Sequence, residues 1–412
     1  MYINENFSTE RIAEMSDIQS SKYYTKTDPV SIVPLGEYDV ARAKAALVEL
    51  LAPIGGLGFV KSGDVIIIKA NLVSAMKPDE AATTHPVLLS ALTELLIEAG
   101  AAEVVIGDSP GGLYNSAHLN KVYNATGMHD CEAHGAVLNT DFTESEAKFP
   151  EAKICTSFSY TTYLDRADHI INFCKLKSHG MMAMSAAAKN LFGAIPGVTK
   201  PEYHYRFPSY EDFADMLLDL DEYFHPTLSI VDAVVGMEGN GPTAGTPKKM
   251  GALLASHSPH TLDMVAARLI GYEPFEIPTL DAARRRDLVP ECDGDLIIHG
   301  DLASLLVPDF ERVTERRSLG FWGSSKNPVK NALGKVVSKI LSTRPVLVKD
   351  MCVGCGVCKN ICPAKAIVIK DGKAIIDRKK CIRCFCCQEF CPKSAMKVKK
   401  TVIASMFQAK KK

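Results

Sequence analysis

The sequence predicts an α/β protein: a large domain of layered sheet and helices, followed by a small α+β domain. Three observations carry that expectation. From Pro29 to about Gly300, short apolar runs alternate with helical patterns, the sequence form of a sheet covered by helices. From residue 344 to the end, Lys+Arg number 17 against 4 Asp+Glu, while the residues before hold 30 and 44, so a basic piece follows an acidic one. The basic piece also holds eight cysteines in two copies of one pattern, offset by 29 residues. The expected boundaries are 1–317 for the large domain, 318–344 for a linker, 345–400 for the small domain and 401–412 for a basic tail.

Strand candidates in the large domain are Val65-Ile66-Ile67-Ile68, Val104-Val105-Ile106, His169-Ile170-Ile171-Asn172, Leu228-Ser229-Ile230-Val231 and Leu296-Ile297-Ile298. A helix opens at Thr84-His85-Pro86, sets Leu88, Leu89, Leu92, Leu95, Leu96 and Ala99 on one face, and stops at Gly100. Proline just inside the start and glycine past the end fit helix termini. Further helices are expected at 38–53, 210–223 and 260–271. In the linker, Val329, Ala332, Leu333, Val336, Val337, Ile340 and Leu341 form an amphipathic stripe near Trp322, expected to pack on protein rather than lie on a membrane. In the small domain, Ala366–Ile369 and Ala374–Ile376 read as strands around the turn Asp371-Gly372.

The cysteine copies are Cys352, Cys355, Cys358, Cys362-Pro363 and Cys381, Cys384, Cys387, Cys391-Pro392. Each reads C-x2-C-x2-C-x3-C-P, in which three close thiolates hold one [4Fe-4S] cluster and the fourth reaches across to the other. Two [4Fe-4S] clusters are therefore expected. One takes Cys352, Cys355, Cys358 and Cys391, and the other takes Cys381, Cys384, Cys387 and Cys362. Zinc sites present separated C-x2-4-C pairs instead, and disulfides need no such repeat. Cys386 has Val357 as its counterpart and is expected to be a packed thiol. The stretch from about Val346 to Lys400 resembles the bacterial two-cluster ferredoxins in all eight ligands and both prolines. That resemblance implies a small pseudo-twofold domain passing single electrons, usually at low potential.

Composition narrows the classes. Hydrophobic content of 47% is ordinary for a globular enzyme-like chain. No apolar run approaches the roughly 20 residues of a membrane span. Thirteen cysteines without a secretory leader point to a reducing compartment, with the cytoplasm as the expected location. The basic domain is expected either to dock on the acidic body or to offer a landing face to an acidic redox partner such as a ferredoxin or flavodoxin. Nucleic acid is not expected as a partner, because the lysines are scattered without aromatic interleaving.

Polar residues of the large domain gather just after the apolar runs, where open α/β sheets place their ligand crevice. Lys69 and Asn71 follow the first run, and Gly107-Asp108-Ser109-Pro110-Gly111-Gly112 follows the second. The third leads to Lys175, Lys177 and His179, which share one face if the strand continues. Ser185 is expected to cap a helix presenting Lys189 and Asn190. This set suits a carboxylate or phosphate, so an anionic small-molecule substrate is expected. The loop Gly236-Met237-Glu238-Gly239-Asn240-Gly241-Pro242 suits either close backbone approach to a ligand or a tight reversal. No dinucleotide or P-loop glycine pattern occurs, which removes support for nicotinamide or nucleoside triphosphate binding. A metal site in the body would have to draw on His85, His179, His204, Asp108, Asp232 and Glu238, against the competing reading of ordinary structural hydrogen bonds.

The segments at 65–72, Thr84-His85-Pro86, 107–112, 175–179 and Ala188-Lys189-Asn190-Leu191-Phe192-Gly193 resemble the DUF362 family over roughly residues 28–300. Members commonly join this domain to a two-cluster ferredoxin, which implies a shared site but no reaction. Ala70 stands where members often have proline. The resulting reading is an iron–sulfur oxidoreductase whose clusters exchange electrons with a site of Lys69, Asn71, Asp108, Lys175, Lys177, His179, Lys189 and Asn190. In it the lysines neutralise substrate charge, and His179 or Asp108 handles a proton. The rival readings are a plain electron carrier with a docking scaffold, and a maturation factor that hands on a cluster or iron.

Overall fold

The computed structural model describes residues 23–313 and 344–399. The expected linker helix, Trp322 and the basic tail lie outside the described residues. The body is built on strands β1 (Val30–Pro34), β2 (Val65–Lys69), β3 (Glu103–Gly107) and β4 (Val137–Leu138), a separate hairpin β5 (Glu144–Lys148) with β6 (Ser157–Thr161), then β7 (His169–His179), β8 (Ala183–Ser185), β9 (Leu228–Glu238), β10 (Thr246–Ser256) and β11 (Ile298–His299). The main sheet runs β11-β1-β10-β9-β7-β2-β3-β4, with β8 added on β7. Its centre is parallel (β9/β7, β7/β2, β2/β3, β3/β4), and β10 is antiparallel to both β9 and β1.

The parallel centre explains the uninterrupted apolar runs. Strands covered on both faces gain from apolar side chains at every position. Ile67 and Val105 enter the core on one face, while Ile66, Ile68, Val104 and Ile106 enter the core on the other. The helix Pro86–Glu98 forms the crossover from β2 to β3, with His85 Nδ1 accepting the Val87 N–H at its start. Helices Val40–Leu51, Tyr210–Phe224 and Pro259–Leu269 fall where the periodicity put them. No helix of the described residues is long and apolar enough to cross a membrane.

Three expectations are corrected. The fourth apolar run continues well past its apolar core, to Glu238, while the third persists as a strand to His179, the continuation on which the shared face depended; β7 and β9 pair as far as Lys177 and Met237. The run at 296–298 contributes only Ile298–His299 to the sheet edge. Ser185 belongs to β8 and caps nothing. The amides of Ala187 and Ala188 are instead taken by Asp263, 2.7 and 3.1 Å away, from a distant helix.

The small domain pairs β12 (Arg344–Leu347) with β15 (Met396–Lys399), and β13 (Ile367–Lys370) with β14 (Lys373–Ile376). Asp371 and Gly372, at φ +50° and +67°, make the two-residue hairpin turn. Short helices Val357–Asn360 and Cys386–Glu389 follow the third cysteine spacing of each copy.

In the body, β2 is flanked by β3 on one side and β7 on the other. The chain proceeds outward in both directions from this pair, so the ends of β2 and β7 form a topological switch point, where ligands of open α/β sheets bind.

Candidate functional site: a cationic crevice closed by a cysteine module

The small domain gathers its eight repeat cysteines into two cradles. One pocket is lined by Cys352, Cys355, Cys358 and Cys391. The other is lined by Cys362, Cys381, Cys384 and Cys387. The fourth cysteine of each copy thus crosses to the other copy's cradle, and none of the eight is in a disulfide. Matching amides point at the crossing sulfurs, Ala366 N to Cys362 Sγ and Ala395 N to Cys391 Sγ, both at 3.2 Å. Such N–H donors stabilise thiolate charge. The donor set of each cradle is the one an iron–sulfur cube requires.

At the switch point, Lys69 is 0% exposed and pairs with Asp108 at 2.9 Å. Its ammonium also donates to the Ala70 carbonyl (2.7 Å) and Asn190 Oδ1 (3.2 Å). Asp108 accepts the Leu72 amide at 2.7 Å. Gly193 presses on this pair, so that a Cβ there would overlap both the carboxylate and the ammonium. Asn190 accepts from Asn71 Nδ2 at 2.8 Å and donates to the Lys69 carbonyl and Asn172 Oδ1. Lys177 donates to Asn71 Oδ1 and the Ala82 carbonyl. Lys69, Asn71, Asp108, Lys177 and Asn190 therefore form one buried network.

Lys175 sits apart from this network. It pairs with Asp232 and donates to Tyr38 Oη (2.9 Å) and the Val235 carbonyl (3.0 Å), while Tyr38 stacks on His85 at 3.6 Å. Its charge is satisfied inside the protein. The residues from which a body metal site would be drawn are likewise separated. His85 and Asp232 belong to the Lys175 pocket, Asp108 to Lys69, and Glu238 accepts the Glu311 amide. Among the described residues of the body no three His, Cys, Asp or Glu side chains gather as for a metal ion.

Lys177, Lys189 and a residue the sequence reading missed, Lys200, have no carboxylate within 4.0 Å among the described residues. Lys189 Nζ lies 5.7 Å from the Phe192 ring centre and Lys200 Nζ lies 5.9 Å from it. Lys200 also donates to the Ser109 carbonyl. Burial pushes the Lys177 and Lys200 ammoniums down to about 7, and lowers Lys69, Lys175 and Lys189 too. The shift expresses the cost of holding charge away from water, only partly offset where a carboxylate is paired, as for Lys69 and Lys175.

The module closes this crevice with its helix Cys386–Glu389. Gln388 Nε2 donates to the carbonyls of Asn240 (2.6 Å) and Gly241 (2.9 Å), and Thr243 Oγ1 donates to the Glu389 carbonyl at 3.2 Å. Lys397 reaches the Ala244 carbonyl at 3.3 Å. Phe385 is 1% exposed and belongs to the body's own core, and a Cβ on Gly111 would strike the Phe390 ring. At Gly241 of the glycine-rich loop the close approach is to protein and not to a ligand: a Cβ there would overlap the Ser178 carbonyl. The approaching backbone belongs to Ser178, and the groups bonded to the loop belong to the module.

Glu389 is delivered to the centre of the crevice. Its Oε1 lies 2.8 Å from His179 Nε2, with the pair too bent for a full hydrogen bond. His179 Nδ1 accepts the Met181 and Met182 amides at 3.1 and 3.0 Å. The ring is therefore neutral with its proton on Nε2, facing Glu389, and burial holds its pKa down to about 3. Burial alone would raise Glu389, yet the His179 contact and the charges around it, Lys189 among them, hold its carboxyl below the ordinary range. His204, stacked on Phe213 at 4.3 Å and depressed by burial to about 4, forms the wall behind.

A signal for Glu389 was present in the sequence: it is one of four acids after residue 343 and stands where the first copy has Asn360. Lys200 had only its place after the Pro196-Gly197 turn to mark it.

An α/β body whose crevice is capped by a 4Fe-4S ferredoxin-type module is an iron–sulfur protein of two joined parts. Residues 344–392 match the family described as a 4Fe-4S dicluster domain, and residues 66–268 match the domain of unknown function DUF362. The chain belongs to the DUF362 family. It is 33% identical over 272 residues to a thylakoid-associated protein of Synechocystis sp., covering 63% of this chain and 80% of that relative. Two solved structures show distant likeness. A protein from Thermotoga maritima aligns at 11% identity and TM-score 0.33 over 55% of this chain and 57% of its own. The lactate racemase apoprotein from Thermoanaerobacterium thermosaccharolyticum aligns at 14% identity and TM-score 0.34 over 57% of this chain and 55% of its own. The chain thus spans just over half the length of each.

Proposed function

We propose that the protein is a redox enzyme that binds an anionic small molecule in the crevice between body and module. The observation that carries this reading is the group of three lysines without an ion-paired carboxylate among the described residues, Lys177 buried and Lys189 and Lys200 half-buried, beside the cradle of Cys362, Cys381, Cys384 and Cys387. Two [4Fe-4S] clusters, one per cradle, would supply single-electron transfer, the inner cradle lying against the site and the outer one toward solvent.

The residues divide the work. Lys177, Lys189 and Lys200 neutralise the ligand's charge, which in turn restores their own. Lys69, Asn71, Asp108 and Asn190 hold the floor, and removing either partner of the buried Lys69–Asp108 pair would cost about 3–5 kcal/mol in stability. Lys175 supports β7 through Asp232. His179 keeps its Nε2–H directed into the crevice, where it can hydrogen-bond a developing anion without giving up the proton. The lysine-rich exterior of the module takes little part in docking on the body, which leaves it to receive an acidic redox partner.

Calorimetry on protein purified without oxygen tests the site directly, with succinate and inorganic phosphate as probes. Lys189→Ala and Lys200→Ala are expected to weaken binding at least tenfold each while leaving iron content intact. Binding that is indifferent to both substitutions would remove the anionic-site reading.

A further inference from the structure

The contact between the two domains runs against their net charges. A basic module meets an acidic body, yet among the described residues a module carboxylate, Glu389, is set against the neutral His179 ring of the body, with the body's lysines around it. Asp108 is committed to Lys69. Glu389, together with the Lys69-bound Asp108, is an anion acting on Lys177, Lys189 and Lys200, and of the two it is the one that the module brings; its side chain is 14% exposed. Its placement is enforced, because the neighbouring Gln388 bonds two carbonyls of the 240–241 loop and Thr243 holds the Glu389 carbonyl. The carboxylate is therefore presented at the site at high effective concentration.

We infer that Glu389 is an internal competitor for the anion site, and that it restricts the site to ligands carrying at least two negative charges. This rests on the anionic-site reading above. A monocarboxylate offers the lysines no more charge than Glu389 already does, and it must enter against that carboxylate's repulsion. A dicarboxylate or phosphate ester engages the surplus cations and still gains when Glu389 is displaced or shares them. Discrimination arises from a repulsive element as much as from attraction, which is a general route to specificity. The carboxylate at position 389 thus selects for charge, and the residue that performs the selection belongs to the electron-transfer module. A site with its module undocked would lose the selectivity.

The test compares acetate, succinate and inorganic phosphate as calorimetric probes on the anaerobically purified full chain and its Glu389→Gln variant, with iron content as the control for folding. Glutamine keeps the size of the side chain and removes its charge, and Glu389→Ala serves as a second variant. Expected is a gain of at least tenfold in acetate affinity in both variants, with the succinate-to-acetate affinity ratio falling at least fivefold. An unchanged ratio, with binding that still depends on Lys189, overturns the inference and spares the anionic site. Absence of binding by all three probes in the wild type and both variants overturns both.

Discussion

The two cysteine copies share a backbone and differ in what they touch. Gly354 and Arg383, Gly356 and Phe385, and Lys365 and Ser394 occupy equivalent positions, and all six have positive φ. Both crossing cysteines accept an amide at the same distance. Yet the first copy faces outward, with Val353 61% exposed, while the second drives Phe385 into the body's core and Glu389 into the crevice. The turn at 385 shows what that packing is worth. Its left-handed backbone, at φ +64°, is filled by glycine in the first copy, and a bulky residue there costs about 1–2 kcal/mol. Burying a phenylalanine ring contributes about 3 kcal/mol, enough to offset the strain. The ligand pattern builds the cradles, and the residues between the ligands decide which cradle meets the body.

The largest effect follows from the crossing of the fourth cysteines. Cys391→Ala is expected to disrupt the outer cradle although Cys391 belongs to the second copy, with iron falling by up to about half. Alkylation followed by peptide mapping should then find Cys352, Cys355 and Cys358 reactive while Cys381, Cys384 and Cys387 stay protected. Cys362→Ala should give the reverse pattern. Protection patterns that follow sequence order would break the comparison at its root.

Next in size is Phe385→Gly, which gives the second copy the residue the first copy uses. The strain is relieved and the ring's burial is lost, for a net loss of about 1–2 kcal/mol at the interface. The module should separate from the body, seen as a larger hydrodynamic radius, with iron content unchanged. Gly356→Phe in the outer copy should leave docking untouched.

The strand cores, the helix at Pro86–Glu98 and both cradles were legible in the sequence because each rests on local periodicity or spacing. The run Lys175, Lys177, His179 was legible as one alternating face, but not that Lys175 would find Asp232, some 57 residues on, and be closed off. Which lysine keeps its charge unpartnered depends on long-range register, here the pairing of Lys175 with Asp232 across β7 and β9. Glu389 was hidden for a related reason: a residue between cluster ligands reads as spacer until the other domain is in place.

A smaller effect separates the crevice from the exposed lysines. Lys177 and Lys200 sit at about 7 in the folded chain, against an ordinary 10.5 when unfolded. Between those values the unfolded chain binds more protons, so stability rises with pH from about 7 to 10, falls again as pH drops from 10 to 7, and levels off below 7. The slope is up to about 1.4 kcal/mol per pH unit for each lysine. Bound phosphate should flatten it by holding both ammoniums protonated, which urea denaturation midpoints at pH 7, 8 and 9, with and without phosphate, would show. Equal slopes in both conditions would place the anion elsewhere.

The smallest effect concerns Cys386, whose counterpart is Val357. It is buried and ligates nothing by the repeat, and its thiol hydrogen bonds to Cys384, a residue of the inner cradle. The Cys386→Val variant restores the first copy's residue, keeps the volume close and removes that donor. Iron content should therefore hold, since all eight repeat cysteines remain. A ligand sulfur with one hydrogen bond fewer stabilises added negative charge less well, so the inner centre alone should become harder to reduce. A redox titration resolving two centres would show one midpoint moving to more negative values while the other stays. Movement of both, or of neither, would mean that the thiol acts only by filling space.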